Sequence, residues 1–146
     1  MFGTILAGVI VFIISQFILK LILEPIVSLK EKLGLLSAKL LRHQSAIVGG
    51  SASKDIIDEI QEVSASVLSS ANAIPFYPAF SKMCKIPSAR QLLESCRSLN
   101  VVLGDLFELT YGQSPNVESP KERRERLRSI GSGLRITTTY AVSGEK

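Results

Sequence analysis

MFGTILAGVIVFIISQFILKLIL, residues 1–23, holds one lysine, Lys20, as the only charge in an otherwise apolar run. As a helix, Phe2 to Leu23 extends about 33 Å at ~1.5 Å per residue, which matches a hydrocarbon core of roughly 30 Å. The segment therefore reads as a transmembrane anchor. Lys20 lies near one end, where its stem can carry the ammonium out to the interface. A cleaved signal peptide needs basic residues before the apolar stretch and small residues at its end. Neither is present, because the run closes on Leu21-Ile22-Leu23-Glu24-Pro25. Orientation follows the basic flank: Lys20, Lys30, Lys32, Lys39 and Arg42 all come after the core and none before it. The N-terminus is thus expected outside and the rest of the chain in the cytoplasm, a single-pass arrangement in a bacterial inner membrane.

One face of this helix carries Thr4, Gly8 and Ser15, with Val11 between them. Small residues on one stripe let helices approach closely in lipid, so Thr4, Gly8 and Ser15 are the candidate residues for membrane-helix association.

The remaining residues suffice for one compact domain. Acidic and basic side chains balance over 25–120, with nine of each, and the excess of +4 comes from residues 121–146. Ile26, Leu29, Leu33, Leu36, Leu40, His43 and Ile47 advance in steps of three and four, the signature of a helix with one buried face. Leu35 and Leu41 widen that face toward a bundle geometry. Pro25 suits the first turn of this helix, or kinks it if the anchor runs straight through. Gly49-Gly50-Ser51 ends it. Ser53 is the expected cap of a second helix with the stripe Ile56, Ile60, Val63, Val67, Ser70 and Ile74. The prolines of Ala73-Ile74-Pro75-Phe76-Tyr77-Pro78 break regularity. Phe76, Tyr77 and Phe80 are expected to plug one end of the core.

Ser88-Ala89-Arg90-Gln91 has capping-box spacing and opens a third helix through Leu92, Cys96, Leu99, Leu103 and Leu106, ended by Tyr111-Gly112 and Pro115. Ser119-Pro120-Lys121-Glu122 repeats that start signal for a fourth, with Leu127, Ile130 and Leu134 inward and fraying expected at Gly131 and Gly133. The fold class is all-α: a transmembrane helix, then an antiparallel bundle of about four helices plus a short fifth segment. The boundaries are 1–23 for the anchor, 24–136 for the cytoplasmic bundle and 137–146 for a mobile tail.

Catalytic sets are missing. His43 is the sole histidine and lies on an apolar stripe, so it reads as a packed side chain. Ala38 occupies the position that an R-x-x-x-x-H nuclease motif would need. No nucleophile elbow or phosphate loop occurs. Asp55, Asp58, Glu59 and Glu62 lack a histidine partner and read as a solvated face. Cys84 and Cys96 read as small apolar residues in a reduced compartment. No catalytic residue, cofactor or metal is expected.

In the C-terminal basic run, Arg123, Arg124, Arg126 and Arg128 spread around a helix, with Glu122 and Glu125 at pairing distance from Arg126 and Arg128. These arginines are the candidate contacts to anionic lipid. Nucleic acid is disfavoured, because no aromatic residue interleaves the run.

Leu23-Glu24-Pro25-Ile26 and Ala73-Ile74-Pro75-Phe76-Tyr77 together resemble a bacterial family of small, uncharacterised single-pass membrane proteins. The resemblance spans Met1 to about Leu106, and departs from the family's Gly-Leu-Ser-Asn pattern near Ser98-Leu99-Asn100. It implies a membrane helix followed by a helical cytoplasmic domain, with no established activity. The architecture is also similar to membrane-anchored accessory proteins of RNA-targeting CRISPR systems, which assemble into pores. The expected function is non-enzymatic. The domain would act by self-association as a homo-oligomer or by recruiting a cytoplasmic protein partner, with membrane lipid as its surroundings. The competing expectation is a pore-forming or membrane-perturbing effector, with Gln16 and Lys20 at the pore mouth.

Overall fold

The computed structural model describes residues 1–112 and 118–140, and these are helical with short connections and no strand. The elements are α1 (Phe2–Ile18), a π-helical turn (Leu19–Leu23), α2 (Glu24–Arg42), α3 (Gln44–Gly49), α4 (Lys54–Asn72), α5 (Tyr77–Met83), α6 (Ala89–Tyr111) and α7 (Pro120–Leu134). The bundle proper is α2, α4, α6 and α7, with two short helices, α3 and α5, at its corners.

α1 runs straight into α2, giving one continuous helix from Phe2 to Arg42. Pro25 offers no N–H to this helix and would normally kink it. The turn just ahead of it widens instead: the Glu24 N–H reaches back five residues to the Leu19 carbonyl. A π turn of this kind re-spaces the backbone and lets a helix pass a proline.

Below that turn the apolar stripe is buried as its spacing demands. Ile26, Leu29, Leu33, Leu36, Leu40 and Ile47 all lie in the core. Two expected members do not. Leu35 points to solvent, and His43 sits half-buried at the break between α2 and α3, where φ is −101° and ψ is 13°. The stripe is therefore narrower than its neighbours suggested. In α4 the inward residue of the first turn is Ile57, with Ile56 only partly buried; Ile60, Val63, Val67 and Ser70 follow. Ile57, Ile60, Ser64, Val67 and Ala71 make a regular set, and Ile56 lies one residue off it.

Polar contacts fix the directions. Lys39 pairs with Glu59, while Lys32 Nζ donates to Ser70 Oγ at 2.5 Å, so α4 returns antiparallel to α2. Thr110 Oγ1 donates to the Ala52 carbonyl at 3.2 Å, which sets the end of α6 beside the start of α4. Arg126 faces Asp105, and Gly133 faces Ser95, so α7 runs back along α6. The bundle thus has a near end, where α1 leaves, and a far end, around α3.

Both capping boxes form. Ser88 accepts from the Gln91 N–H and Ser119 from the Glu122 N–H, with the reciprocal side-chain bonds present. α7 stays helical through Gly131 and Gly133 to Leu134 instead of fraying there. Both glycines are close-approach points. A Cβ on Gly131 would lie 2.5 Å from Thr138 Oγ1 and 2.9 Å from the Ile136 carbonyl, and one on Gly133 would collide with Ser95 Oγ.

The segment after α7 corrects the expected boundary at 137. Thr138 is buried and donates to the Leu127 carbonyl at 2.7 Å, Ser37 donates to the Thr137 carbonyl, and the Tyr140 N–H bonds Gln44 Oε1 at 3.1 Å. Residues 137–140 therefore belong to the bundle. The later part of the expected tail, 141–146, and the break expected at Pro115 lie outside the described residues.

Candidate functional site

α1 departs most from a self-contained globular domain. None of its residues is buried, and Phe2, Ile5, Leu6, Phe12 and Phe17 are each more than 60% exposed. The continuous helix Phe2–Arg42 that it begins contains a stretch long and apolar enough to cross a membrane. Within it Thr4, Gly8 and Ser15 are exposed, and a Cβ on Gly8 would meet no heavy atom within 4 Å. Ser15 Oγ donates to the Val11 carbonyl at 2.7 Å, which satisfies its hydroxyl inside the helix. At ~100° per residue Gln16 and Lys20 lie about 80° and 120° beyond Gly8, the nearest edge of the small-residue stripe, so they point away from it.

A second polar cluster sits across α2 and α4. Glu59 receives the Lys39 ammonium on one oxygen, and His43 Nε2 stands 3.7 Å from the other. The hydrogen bond from Lys39 holds the Glu59 carboxyl below its ordinary value. Asp55, Asp58 and Glu62 stay exposed on their own helix. Among the described residues, no group of three His, Cys, Asp or Glu side chains is placed to share a metal ion. This cluster ties α2 to α4; among the described residues no hydroxyl or thiol nucleophile is bonded to the imidazole.

The four arginines of α7 have separate fates. Arg123 is 3% exposed, and its Nε donates to the Val48 carbonyl at 3.1 Å, at the end of α3. It is an internal strut, which corrects its expected place among surface contacts to lipid. Gly50 is needed beside it: its φ is +74°, and a Cβ there would lie 3.1 Å from Arg123 Nη1. Arg126 pairs with Glu118 and lies 3.9 Å from Asp105, so neither Glu122 nor Glu125 serves as its partner. Glu122 is turned instead to the Ser119 cap, whose bonds lower its carboxyl pKa. Arg124 and Arg128 are exposed, Arg124 in a cleft with Arg42, Gln44 and Tyr140. Arg42 lies ~27 Å along the helix axis from Glu24. That is more than three Debye lengths of ~8 Å, so Arg124 belongs to the end of the bundle remote from α1.

Cys96 is buried and Cys84 partly so, both as free thiols, and burial raises the Cys96 thiol pKa. Of the expected aromatic plug, Tyr77 is buried and donates to the Pro87 carbonyl at 2.7 Å, and Phe80 packs partly against the core. Phe76 does not join them: it is 80% exposed. Sequence periodicity missed this outward ring and the returning segment 136–140, because neither lies in a periodic element. The one signal for the latter was Gly131, a small residue where something must come close, whereas Gly133 makes room for Ser95 of α6.

No family model matches the chain, and no curated protein or solved structure shows significant similarity to it.

Proposed function

We propose that this protein is a single-pass membrane protein whose helical bundle works by association, with further copies of itself or with a cytoplasmic partner, and not by catalysis. One observation carries the proposal: a 17-residue apolar helix that buries no residue against the rest of the chain. Exposing that much apolar surface to water is unfavourable at roughly 25 cal/mol per Å², and a bilayer removes the cost. The basic flank after the span orients the bundle toward the cytoplasm of a bacterial inner membrane. The resemblance to small single-pass bacterial proteins points the same way. Thr4, Gly8 and Ser15 form the helix-packing stripe, and their exposure leaves them open to a second helix.

The test is the mass of the full-length protein purified in mild detergent, by light scattering. More than one copy per particle is expected, falling to one in Gly8→Leu, which fills the stripe. A monomer without a co-purifying protein would sink the proposal. Loss of membrane potential in vesicles carrying the protein would favour the pore-forming alternative, with Gln16 and Lys20 at the pore mouth.

A further inference from the structure

We propose that the corner between α4 and α5, with the outer face of α5, enters the headgroup layer of the membrane that α1 crosses, giving the bundle a second contact with lipid. The inference rests on the anchor reading above. α4 is antiparallel to α2, so its last turn lies beside the first turn of α2. Ser70 and Ala73 share a cleft with Lys20, Glu24, Pro25 and Ser28. α5 follows at once and closes this near end of the core, anchored inward by Tyr77 and Ser81.

What α5 does not send inward has an amphipathic character. Phe76 is 80% exposed and Met83 is 71% exposed, the two most exposed large apolar side chains among the described residues after α1. Phe76 stands at φ 53°, a left-handed conformation that side chains other than glycine seldom adopt. The backbone thus turns the ring out of the core while the next residue turns in. Lys82 and Lys85 are exposed on the same short segment, Lys85 also at positive φ, and residues 73–89 contain no acidic side chain. An exposed ring and thioether flanked by ammonium groups match an interface that is apolar within and anionic at its surface. The level is right as well, since Lys20 marks the point where α1 would reach the headgroups.

The chain has no tryptophan, so Phe76→Trp introduces a single indole. The full-length variant is reconstituted in phosphatidylcholine vesicles with roughly one third phosphatidylglycerol, with and without bromine on the acyl chains. Phe12→Trp reports the span itself, and Phe107→Trp reports a partly exposed site toward the far end of α6. Circular dichroism checks that each variant retains its helix content. Bromination should dim emission about twofold or more for Phe76→Trp and Phe12→Trp, and leave Phe107→Trp unchanged. Adding Lys82→Glu and Lys85→Glu should cut the Phe76→Trp quenching, most at low salt. Quenching of Phe12→Trp without that of Phe76→Trp would overturn the inference and leave the anchor standing. A blue-shifted but unquenched Phe76→Trp would mean that protein covers the ring, which also overturns it. If neither is quenched, the anchor reading falls and the inference with it.

Discussion

Phe2–Ile18 and Glu24–Arg42 are two parts of one helix, of 17 and 19 residues, yet they live by different rules. The first is apolar on every side and buries nothing; the second is apolar on one stripe and buries Ile26, Leu29, Leu33, Leu36 and Leu40. A helix apolar all round needs an apolar medium, while a striped helix needs only a neighbour. The π turn at Leu19–Leu23 joins the two regimes without interrupting the backbone. Continuity of secondary structure therefore says nothing about continuity of environment. The boundary is set by side chains, at Lys20 and Glu24.

The bluntest way to break the comparison is to remove the first part. Without residues 1–23 the bundle should move from the carbonate-resistant membrane fraction to the soluble one. Its melting temperature should stay close to that of the full chain, because the partly buried Ile22 is the one residue of this segment that packs against the core. A protein that unfolds on this deletion would show α1 to be part of the core.

Point substitutions sharpen the contrast. Leu36 is fully buried, and Leu36→Ala should cost ~2–5 kcal/mol in denaturant unfolding, the usual range for emptying a core leucine. Ile10→Ala in α1, where the side chain is 49% exposed, should cost under ~0.5 kcal/mol in the same denaturant unfolding. Equal losses at the two positions would erase the distinction.

A third test concerns the last turns of α7 in the same core. Gly131→Ala should destabilise by ~1–3 kcal/mol, since its Cβ meets the backbone carbonyl of Ile136 and cannot be relieved by a rotamer change. Gly8→Ala in α1 meets open space and should be neutral or slightly stabilising to the helix.

The smallest expected effect is electrostatic. Lys39 lowers the Glu59 pKa in the folded state. A depressed carboxylate pKa contributes stability above its unfolded value, near 4.5, and that contribution is lost as pH falls through the lower folded value. Glu59→Gln should therefore flatten the acid side of the melting-temperature profile and leave α1 insertion untouched. The change should be slight, because Glu59 is 40% exposed and solvent screens the pair. A steep acid loss that persists in Glu59→Gln would place its origin elsewhere, with the Glu122 cap next in line.

Much of this architecture was legible from local pattern. The apolar run, the four-and-three stripe through Leu40, the two capping boxes and the stripe of α6 depend on neighbours within a turn or two. Those neighbours are visible in the chain itself. His43 fits the stripe by spacing alone, but the helix breaks at that residue and its ring turns toward Glu59, a partner 16 positions away. Ile56 and Ile57 compete for one inward position, and only the angle at which α4 meets α2 selects Ile57. The Arg123 position was misread for the same reason. An arginine in a basic run suggests a solvated face, until the end of α3 supplies a carbonyl from 75 residues away.

The sequence by itself determined that the fold class is all-α, that its first stretch suits a bilayer, and where α4, α6 and α7 start. Such properties follow from hydrogen bonding and hydrophobic period along the backbone. Only the tertiary structure decided that Arg123 is internal, that residues 137–140 pack back through Thr138, and that Phe76 faces out. Each of those depends on which distant group occupies the space beside a residue, and no short-range pattern encodes that.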